Sequence, residues 1–206
     1  MDQLKDKIIF LTGGSEGIGY ECAKAYSSEG ATVIIASLNE EPIAGVIAEL
    51  GPTHIGILND VSKECDVSAA IAKSIKAYCR LDAIHNNAGI ARPAKALHET
   101  TAEEWDNLMN TNLKGAYHTI KFGFEALKKS RGSILNTSSL VGEIGQEMHA
   151  AYSATKGAMN ALTKSMALDY AKYHIRVNAV APAGVWTPML RKWNAEQPDE
   201  KNMEAY

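Results

Sequence analysis

The sequence predicts an α/β fold: a doubly wound parallel sheet with helices on both faces, three layers in a single domain. Three observations carry that prediction. Short apolar runs alternate with longer amphipathic ones from end to end. The short runs are apolar at consecutive positions, not at every second one, as in strands covered on both sides. A glycine cluster, Gly13-Gly14 with Gly17 and Gly19, falls where the first strand gives way to the first helix.

In chain order the expected strands are Lys7–Thr12, Thr32–Ser37, His54–Asn59, Leu81–His85, Gly132–Ser138 and Ile175–Ala181, each brief and rich in Ile, Val or Leu. The expected helices run over Ile18–Glu29, Glu41–Leu50, Lys63–Tyr78, Ala102–Leu127 and Ala151–Tyr173. The last carries Ala154, Ala158, Leu162, Ser165, Met166 and Asp169 at helix spacing. Gly30 and Gly51-Pro52 close the first two helices, and Thr101-x-x-Glu104 reads as a capping box opening the fourth. Right-handed crossovers through these helices build the layers. No repeat or linker interrupts the alternation before about Lys192. From Arg191 to Tyr206 the chain turns polar, with no strand after the sixth, and reads either as a lid or mobile tail or as a chain that stops before its last elements.

Of the 206 residues, 46% are apolar and 22% charged, ordinary for a soluble globular chain. Twenty-one basic against twenty-four acidic residues leave a formal charge of -3. That balance offers no footprint for nucleic acid or an anionic membrane surface. No apolar run approaches a membrane span, and the mixed-charge start Met1–Lys7 does not read as a signal peptide. Cys22, Cys65 and Cys79 are odd in number and widely spaced, so reduced thiols in a cytoplasmic protein are expected. The histidines form no metal-ligand spacing.

The loop Thr12-Gly13-Gly14-Ser15-Glu16-Gly17-Ile18-Gly19 has the chemistry of a pyrophosphate cradle. Glycines permit positive φ and close backbone approach, and the helix behind them offers unpaired N–H groups to an anion. Gly13, Ser15, Glu16, Gly17, Ile18 and Gly19 are its candidate contacts. At Ser37, the end of the second strand, an acid would bind the ribose hydroxyls of NAD; a base after it would pair with the 2′-phosphate of NADP. Ser37-Leu38-Asn39 offers neither, while Glu16 would repel the extra phosphate. NAD is therefore expected, with NADP the alternative.

A nicotinamide site also needs a proton carrier. A tyrosine serves if a nearby cation lowers its pKa from about 10. Three Tyr-x-x-x-Lys pairs exist: Tyr20/Lys24, Tyr117/Lys121 and Tyr152/Lys156. Tyr20 lies past the phosphate loop and Tyr117 mid-way along a long helix. Only Tyr152/Lys156 opens a helix just after a strand end, and it alone follows Thr137-Ser138-Ser139.

Four pieces, Thr12–Gly19, Asn86-Asn-Ala-Gly89, Ile134–Ser139 and Tyr152-Ser-Ala-Thr-Lys156, resemble in order and spacing the short-chain dehydrogenases/reductases. The resemblance runs from Lys7 to about Met189. It implies a Rossmann-type fold, a nicotinamide cofactor and a catalytic asparagine, serine, tyrosine and lysine. The matching positions are Asn112, Ser139, Tyr152 and Lys156; Ser139 is chosen over Ser138 because the family's serine stands thirteen before its tyrosine. Tyr152 would move the proton, Lys156 acidify it and hold the nicotinamide ribose, and Ser139 bond the substrate oxygen. Asn112 resembles the asparagine that kinks a helix and anchors a proton-relaying water. Asp60 and Val61 resemble the residues that meet the adenine, Asn87, Ala88 and Gly89 those flanking the adenosine, and Val185 and Thr187 those at the carboxamide. The family usually has Pro-Gly where this chain reads Pro182-Ala183-Gly184. Family members also pair their fourth and fifth helices in homotetramers or dimers, and add a seventh strand. Met159, Leu162 and Met166 look surplus to one core face.

Gln146, His149 and Trp186, with Met148, Met189 and Arg92, are the expected substrate lining, a mixed pocket without a phosphate or carboxylate clamp. His149 reads equally well as a solvated loop histidine. His85 is expected in the core, and His54, His98, His118 and His174 at the surface. The reading is an oxidoreductase acting on a secondary alcohol or ketone as its small-molecule partner. The alternatives are a dinucleotide-binding sensor without turnover and a family member with lyase or isomerase chemistry.

Overall fold

The structure, a computed structural model, describes residues 2–195. Six strands form one parallel sheet in the order β3-β2-β1-β4-β5-β6. They are β1 (Ile8–Thr12), β2 (Thr32–Ser37), β3 (Ile55–Leu58), β4 (Ala83–Asn86), β5 (Ser133–Thr137) and β6 (Arg176–Val180). The chain runs outward from β1 to β3, then crosses back to place β4 beside β1. The order therefore reverses between β1 and β4, and the crevice at their carboxyl ends is where ligands bind in such sheets.

Alternate side chains of these strands serve two cores. Phe10, Ile34, Ala36, Ile84 and Ile134 pack against α3 (Glu64–Tyr78), α5 (Gly115–Ser130) and α7 (Ala150–Ala171) through Val67, Ile71, Ile120, Leu127 and Met166. Leu11, Val33 and Ile35 face the other way, onto Ala23 of α1 (Gly17–Ser28) and Ile43 and Val46 of α2 (Glu40–Leu50). This is why β1 and β2 are apolar at successive positions. The pattern fails at β6, which buries Val177 but exposes Arg176, Asn178, Ala179 and Val180; α7 is the helix that packs on it.

Three further expectations are corrected. The long helix expected over Ala102–Leu127 is broken: α4 (Ala102–Met109) passes through a π-helical turn, Asn110–Lys114, into α5. The Thr101–Glu104 capping box makes both of its hydrogen bonds. His54 and His118 are buried, not at the surface. His54 accepts the Val33 N–H and bonds the Ser27 hydroxyl, clipping β2 to α1, and His118 bonds the Val61 carbonyl. Finally, the supposed surplus residues Met159 and Met166 are buried, and Leu162 packs on the same core.

Among the described residues there are also a 3₁₀ turn at Leu97–Glu99 and two short α-helices, α6 (Val141–Ile144) and α8 (Pro188–Asn194). The second occupies the start of the segment expected as a tail; the rest of that tail, 196–206, lies outside the described residues. No described helix is long and apolar enough to cross a membrane.

Candidate active site

Two buried polar chains lock the carboxyl ends of β4 and β5. On the α1 side, the Tyr26 hydroxyl meets His85 Nδ1 at 3.0 Å and His85 Nε2 meets the Thr137 hydroxyl at 2.9 Å. Thr137 donates to Asn87 Oδ1, and the Asn87 amide donates to the carbonyls of Thr12 and Gly13. These directions require Nε2 of His85 to carry its proton and Nδ1 to accept from Tyr26. Burial lowers the His85 pKa to about 4, which keeps that neutral tautomer at pH 7. On the other side Thr119 donates to Asn86, Asn86 to Asn136 and Asn136 to Thr163, at 2.6 to 2.9 Å. The sheet crest is thus tied to α1, α5 and α7 at once.

This frame shapes the glycine loop. The Thr12 hydroxyl accepts the N–H groups of Asn87 and Ala88, which draws the loop against the end of β4. Gly13 has φ +64°, and a Cβ there would lie 2.9 Å from the Ala88 Cα; a Cβ on Gly19 would lie 2.0 Å from the Gly13 carbonyl oxygen. Only glycine fits at either place. Glu16 stands at the N-cap of α1, but its side chain makes no capping bond. The first-turn N–H groups are therefore left for an anion.

Further along the crest, the Ser37 hydroxyl and both amide atoms of Asn59 are buried without a hydrogen bond. Each such group costs about 1–3 kcal/mol unless something polar meets it. Burial would raise the Asp60 pKa, but two bonds from Ser62 and the Lys63 ammonium outweigh it and hold the carboxyl below its usual range. Val61 is buried, with its carbonyl taken by His118. Gly89 lies beside Asn112 and Lys156: a Cβ on it would stand 3.7 Å from the lysine Nζ. A ladder of N–H groups, orphaned polar atoms and one carboxylate, with backbone bared by glycine, fits a dinucleotide laid from α1 to α7.

Tyr152, Lys156 and Ser139 converge where α7 passes β5. Ser138 is buried and donates to the Lys156 carbonyl, whereas the Ser139 hydroxyl donates to the Pro182 carbonyl at 3.5 Å and accepts the Val141 N–H, close enough to the Tyr152 phenol to pull its pKa down. Lys156, 4% exposed, donates to the Thr137 carbonyl at 2.7 Å and lies 5.6 Å from the Tyr152 ring centre. The expected acidification of the tyrosine is not found. Burial raises the Tyr152 pKa, and the pull of Ser139 the other way offsets it only in part. Burial also lowers Lys156 itself, to about 8. Asn112 sits within the π turn, its side chain bonded to both backbone groups of Ile90 and to Thr155. It therefore ties the loop after β4 to α7. A π turn shifts the ladder from i→i−4 to i→i−5, which frees a backbone carbonyl there; both side-chain amide hydrogens of Asn112 are spent, and its Oδ1 keeps one lone pair beyond the bond from Ile90.

The other two tyrosine pairs are spent elsewhere. Tyr20 bonds Glu49 across the α1–α2 groove, and Tyr117 is 50% exposed. Of the expected lining, Gln146, Met148 and Met189 are exposed, while Arg92 donates to the Lys192 carbonyl at 3.1 Å. Val185, Trp186 and Thr187 line a hollow of about 920 Å³ shared with Ser15–Ile18 and the outer face of α1. Thr187 caps α8 and lies against Gly17. Trp186 thus faces α1, and the tryptophan linked to Tyr152 is Trp193, which packs on His149, itself packed on the tyrosine ring. Nothing in the sequence marked Trp193, because its polar neighbours read as tail.

The short chain dehydrogenase family model matches residues 7–198. The chain belongs to the short-chain dehydrogenase family. It is 41% identical over 193 residues to an L-fucose dehydrogenase of Bos taurus, covering 94% of this chain and 71% of the relative. It is 36% identical over 194 residues to a 2,5-dichloro-2,5-cyclohexadiene-1,4-diol dehydrogenase of Sphingobium indicum, covering 93% and 78%. A 3-ketoacyl-(acyl-carrier-protein) reductase from Brucella melitensis, solved with NADH, superposes with a TM-score of 0.90 at 30% identity, covering 92% of this chain and 80% of that one. This short-chain dehydrogenase is accordingly an oxidoreductase that moves a hydride between a nicotinamide dinucleotide and a secondary alcohol or its ketone.

The Lys156 pKa makes a stability prediction. The folded value, about 8, lies below the unfolded value of about 10.4. Between them the unfolded chain binds the extra proton, so this group's contribution to stability rises with pH across that window. Relative to Lys156→Met, the wild type should gain about 3 kcal/mol from pH 7.5 to 10.5, measured by urea unfolding. A pH-independent difference would count against a lysine buried as described.

Proposed function

We propose that Tyr152 is the general acid/base of this dehydrogenase, with Ser139 and Lys156 beside it. The carrying observation is the convergence of these three side chains at the α7–β5 crossing. When bound, the cofactor supplies or accepts the hydride. The phenol, kept protonated by burial, is in the form that donates to a ketone oxygen. The Ser139 hydroxyl bonds the same oxygen and meets the charge that develops there. Lys156 reaches the edge of Gly89, where ribose hydroxyls can replace the Thr137 carbonyl as its partners. Asn112 holds the loop that presents Gly89.

The substrate we infer is a ring-borne secondary alcohol. A sugar and a cyclic diol, named for the two relatives, share a CH–OH within a six-membered ring. Gln146, Met148 and Met189, the lining expected from the sequence, are exposed and would offer such a ring both polar and apolar contact. NAD is the preferred cofactor in this reading, because Glu16 stands exposed at the loop and Ser37 is followed by Leu38 and Asn39, with no base for a 2′-phosphate. The protein acts in the cytoplasm as a single-domain subunit of a homotetramer or dimer. Leu168 on α7 and Tyr117 on α5, both exposed, are apolar groups available for that contact.

Three measurements test this. Tyr152→Phe should lose about 10²–10⁴-fold in kcat, whereas Tyr20→Phe and Tyr117→Phe keep most activity; near-normal turnover in Tyr152→Phe overturns the assignment and favours a sensor. kcat/KM should be higher with NAD(H) than NADP(H), and Leu38→Arg with Glu16→Arg should move the preference towards NADP; a wild-type preference for NADP(H) refutes the reading. Light scattering on the full chain should give a dimer or tetramer mass, and a monomer mass would refute the assembly.

A further inference from the structure

His149 is placed unlike the wall of an open pocket. It is 6% exposed, although Gln146, Glu147, Met148 and Ala150 around it are all exposed. Gly145 (φ +71°) and Met148 (φ +59°) both lie in the left-handed region. For Met148 that conformation is strained, and together the two reverse the backbone and turn the imidazole inward. His149 Nδ1 donates to the Glu147 carbonyl at 3.0 Å, which fixes the ring's tilt. Edge-to-face contacts then grip the ring from two sides. Tyr152 stands at 6.2 Å between centroids and 74°, and Trp193 at 5.6 Å and 63°.

Trp193 belongs to α8, a helix of seven residues that roofs the site. Among the contacts that hold it are the Thr187 cap and the Arg92 bond to the Lys192 carbonyl. Its docking also buries Asn194, whose Oδ1 finds no hydrogen bond, a cost that weakens the docked state. With so short a helix and such a penalty, one ring-to-ring contact weighs heavily in the balance between docked and undocked.

We propose that His149 is a positioning residue: its ring, held edge-on between Tyr152 and Trp193, keeps the phenol and the roof helix α8 in fixed relation while substrate is bound. The proposal rests on the reading of Tyr152 as the acid/base. The ring itself carries the role, and the hydrogen bond to Glu147 only orients it.

Three variants of the full chain separate ring from hydrogen bond. His149→Phe keeps a ring without the donor, His149→Asn keeps a donor without the ring, and His149→Ala keeps neither. Two readouts are taken with NAD present: the rate of tryptic cleavage after Arg191 and Lys192, and the KM and kcat for L-fucose and a panel of cyclic alcohols. Loss of an aromatic pair should speed cleavage up to about tenfold in the Asn and Ala variants, and raise KM by a similar factor with a smaller change in kcat. The Phe variant should stay near the wild type in both. Protection that follows the donor, with Asn like the wild type and Phe like Ala, overturns the proposal, as does equal cleavage in all four proteins. Cleavage needs no turnover, so a failure of the roof contact is told apart from a failure of the dehydrogenase reading. If the wild type oxidises none of the panel, the ring-alcohol reading falls, and the cleavage rates alone then uphold or overturn the role of the ring.

Discussion

The chain of hydrogen bonds from Tyr26 through His85, Thr137 and Asn87 to the glycine loop is the constraint on which the rest of the site depends. A parallel sheet positions its strands by backbone pairing, but pairing stops at the strand ends, where the ligand-binding loops begin. Here side chains continue the register beyond the ladder. Each member of the chain has its partner, so the network is worth having in a low-dielectric interior, where a half-satisfied one would be a liability. The neutral state of His85 is part of the design. A second proton would turn Nδ1 from acceptor to donor, and the Tyr26 link would lose its present direction.

The same crest explains why charge is handled as it is. Lys156 is enclosed by β5 and α7 with only a backbone carbonyl for its ammonium, so its proton is held loosely. Tyr152 is enclosed too, so its proton is held tightly. Desolvation pushes the two groups towards their uncharged forms. With a pKa of about 8, Lys156 still carries its proton at pH 7, so the crossing holds one poorly hydrated positive charge beside a neutral phenol, and a polar ligand that enters it meets that charge with less screening than in water.

Much of this was legible in the residues. Ile34, Ile35 and their neighbours announce strands buried on both faces, and Gly13 and Gly19 announce a backbone that must touch other backbone. Of three tyrosine–lysine pairs, position against the strand ends separated Tyr152 from Tyr20 and Tyr117, which the structure spends on Glu49 and leaves half in solvent. What stayed hidden depends on distant partners. His54 and His118 find theirs on α1, β2 and the loop after β3, and no local pattern foretells that. The direction of the Tyr152 pKa depends on how deeply α7 is covered. The break between α4 and α5 lacks proline or glycine at Asn110-Thr-Asn-Leu-Lys114, so composition gave no warning of it, and only the family resemblance, through Asn112, pointed to a kink there. Trp193 was masked by its polar surroundings.

The π turn at Asn110–Lys114 carries one residue more than a continuous α-helix would need over the same rise. One residue advances an α-helix by about 100°. The apolar faces of α4 and α5 are therefore out of phase with each other by that angle, and each meets its own neighbour, α7 for α4 and α3 for α5. A regular ladder through this stretch would keep the i→i−4 pattern, yet it would swing Asn112 off the Ile90 loop, turn Leu127 and Thr119 away from the sheet and take His118 off the Val61 carbonyl. Local helical regularity and the working site are thus in competition at these five residues, and the fold has settled in favour of the site.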